Sequence, residues 1–448
     1  MVDVVFTGGR VVDVRTCTSR IANVAVEHGK IVDISAHELP AKRVVDAAGL
    51  VVAPGFIDVH GHLDGHAYAG QLSAMQGITT TVGGNCGLSP LDLEGWFAGQ
   101  ARTGYVINQA ELVGHSFSMR RAVGIEDVNA RASAAQTDAM IRIADRALRA
   151  GAAGVSLGLD YAPGSGLAEI DAMAAIAAEY GRCLPVHTRL FTQNDLYSLY
   201  EMLAAAKRSG GRLLLSHFVY QYSGFGTLRP ALDVVDAARA KGMDVWMDSG
   251  MYTDWATYAG TATFDEQTIK DNSLRFGDMV AATGKYTGTR LNRELYELLR
   301  HKYPDESIIC YSGEPYEIYE ALQKPYAMMS TDAGAYAPGE GHPQIAGSYP
   351  RFLRKMVREK RLLGLEEAVY KCTLLPAQTY HIPGVLEPGY DADLVLFDRD
   401  AVRDNAKMPD KGEPDAPPDG IPYVMVNGVF AVDDGVFQNT RSGTVIRY

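Results

Sequence analysis

Two histidines separated by one residue follow an apolar segment early in the chain. Residues 55–59 are apolar apart from Asp58, and His60-Gly61-His62 comes directly after them. Residues two apart on a strand point to the same face, so both imidazoles can reach one ion. Imidazole is also the commonest metal-binding side chain. The pair therefore predicts part of a metal site at the end of this strand.

Three later apolar runs also end in side chains that can bind a metal. His187 and His217 each close such a run, and Asp332 closes another one late in the chain. One such residue alone has an ordinary structural explanation, a satisfied histidine or an aspartate that caps a helix N-terminus. Their recurrence after the His-x-His pair favours a shared metal site.

Cys86 is the sixth candidate ligand. It lies in the glycine-rich stretch 82–87, after a strand expected to neighbour the His-x-His strand, and a thiolate suits zinc. The alternative is a buried cysteine that packs as a small hydrophobe. No lysine occurs between Lys42 and Lys207, so the early strands cannot supply the carboxylated lysine that bridges many binuclear sites. A thiolate sulfur can bind two ions, and Cys86 is the natural substitute.

The candidate ligands require elements that bring their strand ends together. Short apolar runs alternate with amphipathic helices, such as residues 137–150 and residues 350–363, where Pro350 suits a first turn. Repeated strand–helix units predict an α/β fold, a (β/α)8 TIM-type barrel over residues 53–383, with catalytic groups at the C-terminal strand ends. A doubly wound open sheet is the alternative, but the sequence lacks the Gly-x-Gly-x-x-Gly turn and the P-loop that would favour it.

Both ends of the chain have β character. His28-Gly29 and Asn427-Gly428 are each flanked by strand-like segments and predict tight hairpins. Since chain termini tend to lie close together, residues 1–52 and 384–448 are expected to form one composite small β-sandwich domain. The segment 404–422 is rich in Pro, Asp and Gly, which is typical of a solvated loop or of a flap near an active site.

Composition restricts the class of partner. The net charge of −12 and the absence of a basic stripe argue against nucleic acid. No apolar run approaches the roughly 20 residues of a membrane span, and the N-terminus reads as a strand rather than a signal peptide. Five scattered cysteines make a disulfide scaffold improbable. We expect a cytoplasmic protein that acts on a small molecule and has no membrane partner. The sequence is also compatible with a homo-oligomer.

The chain resembles the amidohydrolase superfamily and, within it, the N-acyl-D-amino-acid deacylase (D-aminoacylase) family over nearly its whole length. Residues 52–64 resemble the superfamily's first-strand signature, and residues 84–87 (Gly-Asn-Cys-Gly) resemble the more specific cysteine motif of the deacylases. Segments 158–164, 342–351 and 386–394 resemble further family blocks. The resemblance implies one zinc held tightly by Cys86, His187 and His217, a second, weaker metal at His60, His62 and Asp332 with Cys86 bridging, and Asp332 as the proton carrier.

Two departures from the family concern substrate binding. Family members often carry a lysine two residues beyond the histidine that corresponds to His217, where it helps hold a substrate carboxylate, but here that residue is Val219. Arg189 is kept, whereas the Asn-Glu that usually follows it is replaced by Leu190-Phe191. Carboxylate recognition is therefore altered. The candidates for substrate contact, each of which has an equally good surface or core interpretation, are Arg189, Tyr161, Tyr252, Tyr286, Arg290 and His342.

These residues predict a zinc-dependent hydrolase that cleaves a C–N amide bond, most like an N-acyl-D-amino-acid deacylase. Zinc lowers the pKa of a bound water to about 7, and Asp332 would take the water proton and deliver it to the departing nitrogen. Hydrolysis of a cyclic amide, as in dihydroorotases and hydantoinases, or a related deamination remains the alternative, since Val219 replaces the carboxylate-binding lysine. A metal-binding protein without catalysis is a third interpretation, which turnover on N-acyl and cyclic amides would exclude.

Overall fold

The strands of this α/β chain fall into several sheets. The structure is a computed structural model that describes residues 1–189, 195–224 and 226–448. In chain order, the strands are β1 (Val2–Asp13), β2 (Thr18–Glu27), β3 (Lys30–Ser35), β4 (Ala41–Asp46), β5 (Val51–Pro54), β6 (Phe56–Asp58), β7 (Gly61–His62), β8 (Ile78–Gly83), β9 (Asn108–Glu111), β10 (Val113–Gly114), β11 (Val155–Gly158), β12 (Cys183–His187), β13 (Arg212–Leu215), β14 (Val245–Ser249), β15 (Trp255–Tyr258), β16 (Met279–Ala281), β17 (Ser307–Cys310), β18 (Ala327–Met329), β19 (Ala333–Gly334), β20 (Leu394–Phe397), β21 (Tyr423–Val426), β22 (Val429–Asp433) and β23 (Val436–Phe437).

Helices separate most strands of the central region. They are α1 (Ala67–Met75), α2 (Leu93–Thr103), α3 (Arg120–Ala122), α4 (Ala134–Ala150), α5 (Leu167–Glu179), α6 (Tyr197–Ser209), α7 (Phe218–Tyr222), α8 (Leu228–Ala240), α9 (Glu266–Asp271), α10 (Arg293–Lys302), α11 (Pro315–Leu322), α12 (Gln344–Phe352), α13 (Leu365–Cys372) and α14 (Leu374–Tyr380). Among the described residues, no helix combines the length and apolar character that a membrane span requires.

Strands from both chain ends share one nine-stranded sheet. Its order is β23-β22-β21-β20-β5-β1-β2-β3, and β4 also pairs with β1. The two predicted hairpins are present in it, because Glu27 pairs with Lys30 and Val426 pairs with Val429. The turn residues His28 and Asn427 have φ angles of 51° and 49°, the left-handed backbone that two-residue hairpin turns of this kind require.

The central strands pair in parallel. Six of them follow the order β10-β11-β12-β13-β14-β18, three follow β6-β8-β9, and β19 pairs with β7. Parallel strands leave their C-terminal ends on the same edge, so the residues that follow β6, β12, β13 and β18 come close together. These strands are buried along nearly their whole length, as the continuous apolar runs of the sequence predicted.

The helix predicted at residues 137–150 is confirmed, and it begins slightly earlier. The Ser133 side chain accepts a hydrogen bond from the Gln136 N–H, and the Gln136 side-chain oxygen accepts one from the Ser133 N–H. This capping box starts α4 at Ala134. Met140 and Leu148 are buried on its inner face. Gly151, with φ of 109°, ends the helix.

The expected helix start at Pro350 is wrong. Helix α12 begins at Gln344, directly after Pro343, and Pro350 lies in its last turn. A π-helical stretch, Leu353–Glu359, follows without a break. Proline lacks the N–H that would bond to the carbonyl four residues earlier, so Pro350 removes one backbone hydrogen bond from α12 shortly before the π-helical stretch begins.

A small antiparallel sheet, β15-β17-β16, packs around its own apolar cluster, which includes Phe264, Tyr296 and Leu299. The segment 404–422 contacts this part of the chain. Met408 packs with Tyr252 and Ile309, and the Asp410 carboxylate bonds to the Tyr311 hydroxyl at 2.5 Å.

Candidate metal centre and active site

The His-x-His pair and Asp332 are tied together by one buried carboxylate. Asp58, at the end of β6, accepts hydrogen bonds from the His60 N–H (3.2 Å) and from the N–H and hydroxyl of Thr331 (3.0 and 2.5 Å). The Asp332 N–H in turn donates to the His60 carbonyl at 2.8 Å. Burial raises the pKa of Asp58 to about 6 despite these donors. The first and last strands of the central region are therefore fixed against each other where their candidate ligands begin.

The six candidate ligands lie in one buried cluster with Cys86 at its centre. The Cys86 Sγ lies 3.3 Å from His60 Nε2, 3.7 Å from His187 Nδ1 and 3.6 Å from His217 Nε2. One Asp332 oxygen lies 3.3 Å from His60 Nε2 and 3.4 Å from His62 Nε2. The ligand atoms form three groups in which all atoms lie within 4.8 Å of one another; these are His60, His62 and Cys86; Cys86, His187 and His217; and His60, His217 and Asp332.

Three of these residues have left-handed backbone although none is glycine. The φ angles are 52° at Cys86, 33° at His217 and 54° at Asp332. Such conformations cost of order 1–3 kcal/mol each and concentrate at functional sites, where the surrounding structure enforces them. No helix begins at Asp332, because the two-residue strand β19 follows it, so the helix-cap interpretation of this aspartate is wrong.

The turn that carries Cys86 is held from both sides. The Ser156 hydroxyl donates to the Gly84 carbonyl (2.5 Å) and accepts from the Gly87 N–H (3.0 Å). It therefore links the backbone before Cys86 to the backbone after it. A Cβ at Gly158 would lie 2.0 Å from the Cys86 carbonyl oxygen, and only glycine permits this close approach. These contacts explain why a glycine-rich stretch surrounds the candidate ligand.

The electrostatics of the cluster suit a cation. Burial alone would raise the pKa of the Cys86 thiol, but the charge of His60 and hydrogen bonds from His187 and His217 hold it well below its usual value. Burial would also raise the pKa of Asp332, and the surrounding histidines lower it instead. A thiolate, imidazole nitrogens and a carboxylate within a few ångströms form a donor set that fits zinc.

Sequence reasoning missed three residues around the cluster. Asp248, at the end of β14, accepts from the His217 N–H (3.0 Å) and lies 3.6 Å from His60 Nδ1, the position of a carboxylate that orients a ligand histidine. It closes an apolar run just as the candidate ligands do, and that signal could have found it. Asp160 (3.8 Å) and the Gln221 amide (3.0 Å) face His187 Nε2 from loops and helices that no spacing indicates.

A cavity of about 400 Å³ opens beside the cluster, a volume in the range of small-molecule sites. Five of the six candidate ligands line it; the exception among them is His60. Of the substrate-contact candidates, Tyr161 is in the wall, where its ring lies 4.7 Å from the His187 ring and its hydroxyl accepts from Thr257 at 3.2 Å.

The other five substrate-contact candidates lie outside the cavity wall. Tyr252 and His342 are buried against each other with ring centres 5.1 Å apart, and burial lowers the pKa of His342 to about 3. Arg290 pairs with Asp410, and Tyr286 packs against the small sheet. Arg189 is buried, and its guanidinium bonds to the Pro163 and Ser165 carbonyls and to Glu201.

Of the two positions that depart from the family pattern, the structure describes only Val219. Val219 is buried in the apolar core and lies outside the cavity wall. Leu190-Phe191 lies outside the described residues. Within the segment 404–422, which was predicted as a loop or a flap, no residue lines the cavity.

Comparisons with known proteins agree with this geometry. The model of the amidohydrolase family matches residues 43–282 and 310–432. An N-acyl-D-glutamate deacylase from Alcaligenes xylosoxydans xylosoxydans is 33% identical over 99% of this chain and 96% of that protein. The crystal structure of N-acyl-D-glutamate deacylase from Bordetella bronchiseptica, complexed with zinc and a phosphonate inhibitor, is similar over the full length of both chains, with 30% identity and a TM-score of 0.85.

A third match is a solved structure of a D-aminoacylase. A D-aminoacylase whose binuclear metal centre is described by one-metal activation and second-metal attenuation matches over the full length of both chains, with 27% identity and a TM-score of 0.88. The family match covers most of the chain, and the similarity to the deacylases extends over nearly all of it. This chain therefore belongs to the amidohydrolase family, and within it to the N-acyl-D-amino-acid deacylase (D-aminoacylase) group.

Proposed function

We propose that this chain is a zinc-dependent amide hydrolase that removes the acyl group from an N-acyl amine, in the manner of an N-acyl-D-amino-acid deacylase. The observation that carries the proposal is the cluster of six ligand-type side chains around the Cys86 sulfur, at the wall of a small-molecule cavity. The relatives support the same reaction class, since they are deacylases and one of them binds zinc.

The ligand roles divide between two groups of side chains. We assign the tight zinc to Cys86, His187 and His217, and a weaker second metal to His60, His62 and Asp332, with Cys86 shared. When bound, the metal would supply an activated water and would polarise the amide carbonyl. A low thiol pKa supports this assignment, because the thiolate is the form of cysteine that binds metal.

Asp332 is the proposed proton carrier. Its lowered pKa keeps the carboxylate ionised, so it can accept a proton from the attacking water and then deliver it to the departing nitrogen. The Gln344 amide donates to the Asp332 carbonyl oxygen, and the Asp332 N–H is bonded to His60, so both sides of its backbone are fixed. Tyr161 and Tyr220 line the cavity near the cluster and would limit the space available to the substrate.

The architecture we propose is a (β/α)8 barrel over residues 53–383 with a small β-sandwich domain from residues 1–52 and 384–448. Strand continuity supports the barrel. β6 is followed closely by β7, β9 by β10 and β18 by β19, and if each of these pairs is counted as one strand, the parallel groups supply the eight strands that such a barrel needs. The nine-stranded sheet that contains both chain ends supports the second domain.

A substrate panel tests the reaction class. Zinc-loaded protein should release free amine from N-acyl-D-amino acids and should leave dihydroorotate, hydantoins and other cyclic amides intact. The opposite preference would establish the cyclic-amide alternative that Val219 leaves open. An absence of turnover on both groups, with zinc bound, would favour a metal-binding protein without catalysis.

A further inference from the structure

The cavity wall contains several carboxylates and, among the described residues, no lysine or arginine. Its basic side chains are four histidines, three of which belong to the ligand cluster, and the fourth is His66. The two stretches outside the described residues, 190–194 and 225, contain no lysine or arginine in their sequence either. The carboxylates in the wall are Asp64, Asp160, Asp305, Glu306, Asp332 and Glu340.

The arginines that could have served an anionic substrate are bound elsewhere. The Arg189 guanidinium donates to the carbonyl oxygens of Pro163 (2.6 Å) and Ser165 (2.5 Å) and pairs with Glu201 at 2.9 Å. Arg351 donates to the Met251 carbonyl at 3.0 Å and pairs with Asp404. Neither reaches the cavity wall. Among the described residues of the cavity wall, histidines are therefore the only side chains that could offer a positive charge to a substrate carboxylate.

Two carboxylates in the cavity wall, those of Glu306 and Glu340, bond to the same turn of the chain, at Thr283 and Gly284. Glu306 accepts from the Thr283 hydroxyl, and Glu340 accepts from the Gly284 N–H at 3.0 Å. Within the described part of the chain, neither carboxylate has a lysine, arginine or histidine within ion-pair distance. Both are half-buried, so their negative charge is only partly screened by water.

The same wall contains aromatic rings. Trp255, Tyr258 and Tyr336 line the cavity, and β15, which carries the first two, pairs with β17, the strand that directly follows Glu306. Aromatic faces attract cations, and carboxylates combined with aromatic rings in a cavity form a binding environment for an ammonium or guanidinium group. The family model leaves residues 283–309 unmatched, so Glu306 lies in a segment that this model does not describe.

We propose that the amine half of the substrate carries a positively charged ammonium or guanidinium group, which Glu306 and Glu340 bind with the aromatic wall. The proposal rests on the amide-hydrolase function above. It separates this chain from the two relatives that are named for N-acyl derivatives of the acidic amino acids D-glutamate and D-aspartate.

Three substrates that share the scissile acetamide and differ in side-chain charge test the proposal. They are Nα-acetyl-D-lysine, N-acetyl-D-norleucine and N-acetyl-D-glutamate. The zinc-loaded enzyme should show kcat/KM at least about 10-fold higher for the lysine derivative than for the glutamate derivative, with norleucine between them. Equal or higher kcat/KM for the glutamate derivative would overturn the charge assignment while leaving the amide-hydrolase function intact.

A binding measurement covers the case in which none of the three is hydrolysed, a result that would count against the proposed function. Calorimetric titration with the free amines should then show tighter binding of D-lysine than of D-glutamate. Tighter or equal binding of D-glutamate would overturn the charge assignment as well.

Two variants locate the recognition. Glu306→Gln and Glu340→Gln keep side-chain size and should each reduce the lysine-to-norleucine ratio of kcat/KM by several-fold. Glu126→Gln, at an exposed position outside the cavity, is the matched control and should leave the ratio unchanged. A full lysine preference in both cavity variants, confirmed as folded by circular dichroism, would contradict the role of this wall.

Discussion

Cys86→Ser is expected to lose bound zinc and amide turnover together while the protein remains folded. The sulfur lies within 3.7 Å of three histidine nitrogens, and Cys86 is the residue that the two proposed metal sites share. A serine hydroxyl does not ionise near neutral pH and is a poor ligand for zinc. The loss of zinc affinity should exceed the 10- to 100-fold that removal of an outer-shell partner costs.

Cys183→Ser is the matched control for this experiment. Cys183 is buried on β12, the strand that ends in His187, and burial raises the pKa of its thiol to about 12, so it packs as a hydrophobe. Its replacement should lower the free energy of unfolding by about 1–3 kcal/mol through burial of a hydroxyl, with zinc content preserved in the folded fraction. Zinc analysis, circular dichroism and turnover on both variants decide the matter, and normal zinc and rate in Cys86→Ser would make this cysteine structural.

Asp332→Asn is expected to lower turnover by at least 10²–10⁴-fold, the usual contribution of general acid–base catalysis. Asparagine keeps the size and shape of the side chain but cannot accept the proton. The tight zinc, assigned to Cys86, His187 and His217, should remain bound, and substrate affinity should change little. Because the carboxylate would serve in proton removal and in proton delivery, both halves of the reaction should be impaired.

The Asp332→Asn result separates a chemical role from a structural one. Zinc content, melting temperature and turnover should be measured on one preparation. A lowered melting temperature with near-normal turnover would remove Asp332 from the mechanism. The residue would then have a structural role only, at a position with left-handed backbone. Thr331→Val is a comparison variant for structural effects. It removes the hydroxyl that donates to Asp58 but keeps the Asp332 carboxylate, the proposed proton carrier.

The strand-end ligands were accessible to sequence reasoning because a parallel sheet places consecutive C-terminal ends on one edge. His60, His187 and His217 each follow an apolar run, and the structure brings their rings within 5 Å of a neighbouring histidine ring. The hairpin turns at His28 and Asn427 were equally readable, since two-residue turns require particular residue types. Local rules were sufficient wherever a short segment determined its own geometry.

Contacts that depend on loops could not be read in this way. Arg189 lies two residues after His187 and looked suited to substrate contact, but its guanidinium donates to the Pro163 and Ser165 carbonyls. Gln221 reaches His187 from α7 through a three-dimensional arrangement that no spacing indicates. The predicted start of α12 is wrong because Pro350 was interpreted as a first-turn residue, whereas the helix begins directly after Pro343.

The metal dependence of amide turnover tests the central claim most directly. Zinc per chain, measured by elemental mass spectrometry, and turnover on an N-acyl-D-amino acid should be followed on one preparation before chelation, after chelation and after zinc is restored. We expect at least one zinc per chain, loss of turnover on removal of the metal, and recovery when zinc is returned. Full turnover by protein that contains no metal would contradict the account.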